Sequence, residues 1–208
     1  MSKRKAIVFD VDEILLDHLG GFRVWLAKKH GIICKSDYPD QYDLTEWMGV
    51  ADQKEVVKYL KEFNETSWEF GVLKPQSESV ISFMFALRHT FPDAVFAALT
   101  KSGTMGHGEV LRRANLEHVY PDVLDEVHIV EMYESKRGAL HKLQAKYDVV
   151  ALVDDYIENI ETAVDMGIRG IMLNCPHNAQ YSQREDFHYA GNWPSIIHEI
   201  CTVMNKGE

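Results

Sequence analysis

Five short runs of apolar, largely β-branched residues punctuate the chain: 6–9, 94–99, 127–130, 149–153 and 170–173. Most lack a polar alternation, which is the pattern of strands buried on both faces. Helical periodicity lies between the later runs, at about 109–114, 136–146 and 157–166; in the third, Ile157, Ile160 and Val164 share one face. A final stripe of Trp193, Ile196, Ile197, Ile200, Cys201 and Met204 follows i, i+3, i+4, i+7 spacing. Asn192 is placed to cap that helix, and Pro194 falls in its first turn. Strands alternating with helices predict an α/β fold, with a parallel sheet covered by helices on both faces.

Residues 19–74 break the rhythm. Phe22, Trp25 and Leu26 mark one helical face there, and Val56, Val57 and Leu60 a weaker one, but no strand pattern appears. The segment is rich in aromatics, among them Tyr38, Tyr42, Trp47, Tyr59, Phe63, Trp68 and Phe70. It reads as a helical insertion after the first strand. The core is then 1–18 plus 75–208, with Pro75 opening a helix that runs to about His89.

In an open parallel sheet, ligands bind beyond the carboxyl ends of the strands. Asp10 and Asp12 follow the first run, Thr100 and Lys101 the second, and Asp154 and Asp155 the fourth, while Lys136 opens the helix after the third. Carboxylates gathered this closely repel one another unless a cation sits among them, and hard oxygen donors at a phosphate site suit Mg²⁺. Asp10 is placed to attack phosphorus and form an aspartyl-phosphate. Lys136 and the cation would neutralise the incoming anion, and Thr100 would hydrogen-bond a phosphate oxygen. Asp12, two residues on, would protonate the leaving alcohol and later activate water. Each feature alone has a plainer reading as a cap, a turn or a solvated helix start. Their order at the ends of separate strands favours the chemical one.

The formal charge of −10 over 208 residues disfavours duplex nucleic acid and anionic membrane as partners, and fits a small phosphorylated substrate. Cys34, Cys175 and Cys201 are isolated and odd in number, which suggests a reducing compartment. The basic opening MSKRK precedes only four apolar residues, and no run is long enough to span a bilayer. A cytoplasmic location is therefore expected. A homodimer is compatible with the sequence, and nothing in it requires one.

Asp10-Val11-Asp12, Thr100, Lys136 and Asp154-Asp155, in that order, resemble the four motifs of the haloacid dehalogenase superfamily of phosphatases. The resemblance implies a Rossmann-like core, Mg²⁺, an aspartyl-phosphate and a small helical cap at 19–74. It implies a metal held by the Asp10 carboxylate, the Asp12 carbonyl and one acid of the Asp154-Asp155 pair, with Asp155 favoured. A narrower similarity, through DVDEILLDHLGGF and NCPHNAQY, is to the 5'(3')-deoxyribonucleotidases, whose cap aromatics enclose the base. Glu13 and Ile14 depart from that pattern, as does His18 where the group has a base-stacking Phe. Lys101 replaces a small hydroxyl residue and offers a further phosphate contact. His18, Trp47, Trp68 and Phe70 are the expected substrate-facing residues. The glycine-rich stretch 103–109 offers backbone N–H groups to phosphate as well. The expected activity is phosphomonoester hydrolysis, with a nucleoside monophosphate as leading substrate. The rival readings are a sugar-phosphate or nucleic-acid 3'-phosphatase, and a non-catalytic phosphoacceptor.

Overall fold

A computed structural model describes residues 3–206. Six parallel strands form one sheet in the order β3-β2-β1-β4-β5-β6. They are β1 (Lys5–Phe9), β2 (Val95–Thr100), β3 (Glu126–Ile129), β4 (Asp148–Asp154), β5 (Arg169–Leu173) and β6 (His188–Ala190). The first five coincide with the apolar runs. The sixth is three residues long and pairs with β5 at the sheet edge.

Strand side chains alternate between two cores. Ile7, Phe9, Phe96, Ala98, Ala151 and Val153 face one side, while Ala6, Val8, Val95, Ala97, Leu99 and Leu152 face the other. Full burial on both faces explains the missing polar alternation. The second side is covered by α6 (Arg137–Lys146) and α7 (Ile157–Asp165), through Leu140, Leu143 and Ala163. The first is covered by α4 (Glu78–Thr90) and by α8 (Trp193–Asn205), whose Trp193, Ile196 and Ile200 stripe is buried. Asn192 caps α8 by accepting from the Ser195 N–H at 3.1 Å, as expected.

Between β1 and α4 lie α1 (His18–His30), α2 (Thr45–Met48), α3 (Gln53–Thr66) and a 3-10 turn at Trp68–Val72, with no strand. The chain leaves and returns side by side. Leu16 pairs with Pro75, Asp17 N–H donates to Lys74 O at 2.9 Å, and Gln76 N–H donates to Leu15 O at 3.0 Å. Pro75 thus belongs to this bridge and does not open a helix; α4 begins at Glu78.

The glycine-rich stretch has a packing role. It leads into α5 (Gly108–Val119), and its glycines let two backbones touch. His107 N–H donates to Glu65 O at 3.0 Å, and a Cβ on Gly108 would lie 2.5 Å from the Asn64 backbone oxygen. Gly108→Ala should therefore push α3 away from α5 and cost about 1–3 kcal/mol, the usual range for overpacking, read as a lower midpoint in urea unfolding.

Candidate active site

The sheet order reverses at β1, which lies between β2 and β4. At such a switch point the strand ends open a crevice. Asp10 leaves β1 there, with its N–H donating to Val153 O of β4 at 2.8 Å. Asp154 ends β4, and Asp155 follows it. One oxygen from each of Asp10, Asp154 and Asp155 falls within a mutual 4.8 Å, and all three residues are buried. Lys136, at the start of α6, is fully buried between them, with Nζ 2.7 Å from Asp10 Oδ1 and 2.7 Å from Asp154 Oδ2.

Burial pushes the Asp10 carboxyl well above the usual carboxylate range, and Asp154 and Asp155 push it further, against the pull of Lys136. Burial also raises Asp155, where His177 opposes the shift. Burial disfavours the Lys136 ammonium, but Asp10 and Asp154 outweigh it and hold the amine charged. The ammonium thus pairs with two of the three buried carboxylates, and His177 stands beside the third. That donor set, of hard oxygens with excess negative charge, fits a divalent hard cation.

The two acids after β4 have different work. Asp154 Oδ2 receives Lys136, and its Oδ1 accepts from Tyr156 N–H at 3.0 Å and Asn159 Nδ2 at 3.1 Å. Asp155 lines the cavity, and among the described residues its side-chain ion-pair partner is His177 Nε2, 3.2 Å from Oδ2. This division favours Asp155 as the metal ligand. Magnesium at 100 times its Kd should then stabilise the fold by about 2.7 kcal/mol. At about 2–4 °C per kcal/mol, that is a clear rise in Tm, reversed by chelation and blunted in Asp155→Asn.

Asp12 also lines the cavity, and its Oδ1 accepts from Arg112 Nη2 at 2.5 Å. Burial raises the Asp12 carboxyl, but Arg112, His18 and Lys136 together bring it below the ordinary value. Arg112 rises from α5, is fully buried, and lies over the Phe70 ring at 4.2 Å. The sequence gives no sign of it, because its partner is 100 residues away. Thr100 ends β2 with a buried hydroxyl that has no protein partner. Lys101 lines the cavity with Nζ 5.5 Å from the centre of the Tyr156 ring.

The cavity over Asp10 measures about 190 Å³. Leu19, Leu44, Val56 and Leu60 supply an apolar wall, and Tyr42, Tyr133 and Tyr156 an aromatic one. His18 lines it as expected, held by Asn64 Oδ1 at 2.9 Å; Asn64 Nδ2 in turn donates to Ser102 O. The other three expected substrate residues do not line it. Trp47 is buried and donates Nε1–H to Ser36 O at 2.9 Å. Phe70 is buried behind His18, and Trp68 turns outward with 72% exposure. Their places are taken by Tyr42 and Tyr156, stacked at 4.0 Å across the mouth.

Glu13 stands at φ 60°, a backbone conformation that favours glycine. Its carboxyl accepts from Leu19 N–H at 2.7 Å, in the first turn of α1, but burial outweighs that bond and pushes the group well above the usual carboxylate range.

No family model and no curated protein among those compared matches the chain. Solved structures do. A haloacid dehalogenase-like hydrolase from Streptococcus pneumoniae superposes with a TM-score of 0.63 at 12% identity, covering 97% of this chain and 99% of that one. A haloacid dehalogenase-family hydrolase from Deinococcus radiodurans, with bound phosphate and sodium, gives 0.57 at 13% identity, covering 98% of each chain. An L-2-haloacid dehalogenase gives 0.57 at 14% identity, covering 95% and 99%. The chain has the haloacid dehalogenase fold. The likeness extends over nearly the whole chain, so the helices between β1 and α4 fall inside the matched length. At these identities it carries the architecture and leaves the reaction to be argued from the side chains.

Proposed function

We propose that this haloacid dehalogenase-fold protein is a Mg²⁺-dependent phosphomonoesterase that works through an aspartyl-phosphate on Asp10. The observation that carries the reading is the buried cluster of Asp10, Asp154 and Asp155 around Lys136. Carboxylate attack on a haloacid carbon needs no divalent cation, whereas attack on an anionic phosphate does. A set of carboxylates with excess charge therefore favours phosphorus over carbon.

Asp10, Asp155 and the Asp12 carbonyl would hold the ion, which when bound neutralises phosphate charge. Asp10 supplies the nucleophilic oxygen, and the second strand end supplies the Thr100 hydroxyl, which a phosphate oxygen would satisfy. Lys136 offsets the negative charge that builds on the phosphoryl oxygens. Asp12 would take up a proton from solvent against the pull of Arg112, pass it to the leaving oxygen, and recover one from the water that cleaves the acyl phosphate. Arg112 holds the Asp12 carboxylate in place between these steps.

The helices between β1 and α4 act as the cap. Tyr42 belongs to that segment, and Tyr156 follows β4, so their stacked rings close the cap onto the core. A nucleoside monophosphate is the substrate class we favour. Its base would find flat apolar partners in Tyr42, Tyr156 and His18, and its phosphate would find Lys101 and Lys136.

The test is release of phosphate from an aryl phosphate with and without Mg²⁺. It is followed by a panel of nucleoside monophosphates, sugar phosphates, 3'-phosphorylated oligonucleotides and 2-haloacids. Magnesium-dependent turnover with preference for nucleotides is expected. Turnover of 2-haloacids with no ester hydrolysed would overturn the proposal. Asp12→Ala should slow turnover by about 10²–10⁴-fold and let phosphoenzyme accumulate, detectable by intact-protein mass.

A further inference from the structure

Beside the carboxylate cluster stands a second set of donors, of which the proposed reaction uses only Asp155. Asp155, Cys175 and His177 each present one ligand atom, and the three atoms lie within 4.8 Å of one another. Asp155 follows β4, whereas Cys175 and His177 lie just past the end of β5, the neighbouring strand. The parallel pairing that builds the sheet therefore brings the three together.

We propose that Asp155, Cys175 and His177 form a binding site for a borderline-soft divalent cation of the Zn²⁺ class. The site shares Asp155 with the hard-metal site of the proposed phosphatase. The first part rests on geometry alone; the sharing rests on the reading of Asp155 as a Mg²⁺ ligand.

The donor chemistry is selective. Thiolate and imidazole suit Zn²⁺ and Co²⁺, whereas Mg²⁺ prefers oxygen. The spacing also fits. Ligand atoms about 2.0–2.3 Å from a zinc ion stand roughly 3.3–3.8 Å apart in a tetrahedral set, and His177 Nε2 is already 3.2 Å from Asp155 Oδ2. The His177 side chain is 7% exposed, and Nε2 has no aligned hydrogen-bond partner. The contact with Asp155 is an ion pair of poor hydrogen-bond alignment, and a metal ion between the two groups would satisfy both.

A buried amide links the backbone under these residues. Asn178 Nδ2 donates to the Asp155 backbone carbonyl at 2.8 Å and to Leu173 O at 2.9 Å. Asn178 Oδ1 accepts from Cys175 N–H at 2.9 Å. One buried amide thus ties two of the three ligands to each other, as supporting residues do around metal sites. A cavity of about 440 Å³, lined by Tyr42, Asp155, Tyr156, His177 and Asn178, leaves room for water as a fourth ligand.

Burial, with Asp155 and Glu13 nearby, keeps the Cys175 thiol protonated. On coordination a sulfur–metal bond forms and the thiol proton passes to solvent, as does any proton that Asp155 holds on His177 Nε2. Because Asp155 has one carboxylate to offer, occupation of this site withdraws a ligand from Mg²⁺. Zinc then acts as an inhibitor that magnesium relieves.

Co²⁺ added to the full chain reports the site without any activity assay. A thiolate-to-cobalt charge-transfer band saturating at one ion per chain is expected, and Zn²⁺ should bleach it. Cys175→Ala should abolish the band, while Cys34→Ala and Cys201→Ala keep it. His177→Asn, which leaves the thiol in place, should weaken cobalt binding at least about tenfold, the scale set by lost metal-site contacts. Circular dichroism checks that each variant is folded. The absence of a band at stoichiometric cobalt, or its survival in folded Cys175→Ala, would overturn the site. Excess Mg²⁺ should diminish the band; a band indifferent to Mg²⁺ would preserve the soft-metal site and overturn the sharing of Asp155. Loss of phosphatase activity without loss of the band would count against the proposed reaction alone.

Discussion

Asp10→Asn is expected to abolish phosphate release from every ester the protein hydrolyses, by about 10⁴–10⁶-fold in kcat, as when other enzymes lose a nucleophile. The reason is local. The amide keeps the shape of the side chain and loses the anionic oxygen that would attack phosphorus. It also removes one of the two carboxylates that share Lys136. The protein without metal should therefore be no less stable than the parent, because a buried charge whose ionisation is already disfavoured has been deleted. Steady-state kinetics and a parallel thermal melt separate the two effects. A variant that retains even a hundredth of parental turnover would place the nucleophile elsewhere.

Lys136→Met has the opposite balance. It removes what is, among the described residues, the only ammonium in hydrogen-bond contact with Asp10 and Asp154, a group buried with 1% exposure. Breaking a buried ion pair from one side leaves its partners uncompensated, which costs about 3–5 kcal/mol. Both stability and turnover should fall. Magnesium should recover part of the stability, because a bound dication supplies charge to the same carboxylates, but it should not recover turnover. Urea unfolding with and without Mg²⁺ reads the first expectation, and hydrolysis of an aryl phosphate reads the second. Equal midpoints for Lys136→Met and the parent would show that the ammonium does not hold the cluster together.

Both expectations concern residues that stand out in the sequence, and the reason is physical. A strand buried on both faces is a nearly continuous apolar run, so its end is sharp. Asp10, Thr100 and Asp154-Asp155 are conspicuous because they follow such ends directly. Strand β6 had no comparable signal. His188, Tyr189 and Ala190 are few and only partly apolar, and they become a strand because β5 offers an unpaired edge. The start of α4 at Glu78 is likewise not marked by the sequence. Pro75 suits a first helical turn, but the bridge to Leu16 claims it.

The cavity lining was harder to read. Trp47, Trp68 and Phe70 are as aromatic as Tyr42 and Tyr156, and composition does not say which rings look inward. Trp47 and Phe70 fill the interior of the helical segment, where large apolar surfaces are stabilised by burial. Tyr42 carries a hydroxyl, remains partly exposed, and meets Tyr156 from across the cleft. Arg112 was hidden altogether. A charged residue on an amphipathic helix normally faces solvent, and only the tertiary fold brings Asp12 and Phe70 to it.

The short bridge at Leu16 and Pro75 has a consequence for how such a chain can diversify. The two ends of a stretch of more than fifty residues are stitched together by a few backbone bonds beside the sheet. Residues added or lost in the branch between them need not shift the pairing of any strand, so the platform that carries Asp10 stays level while the branch is rewritten. A lineage built on this graft can change what it grips without relearning how to cut.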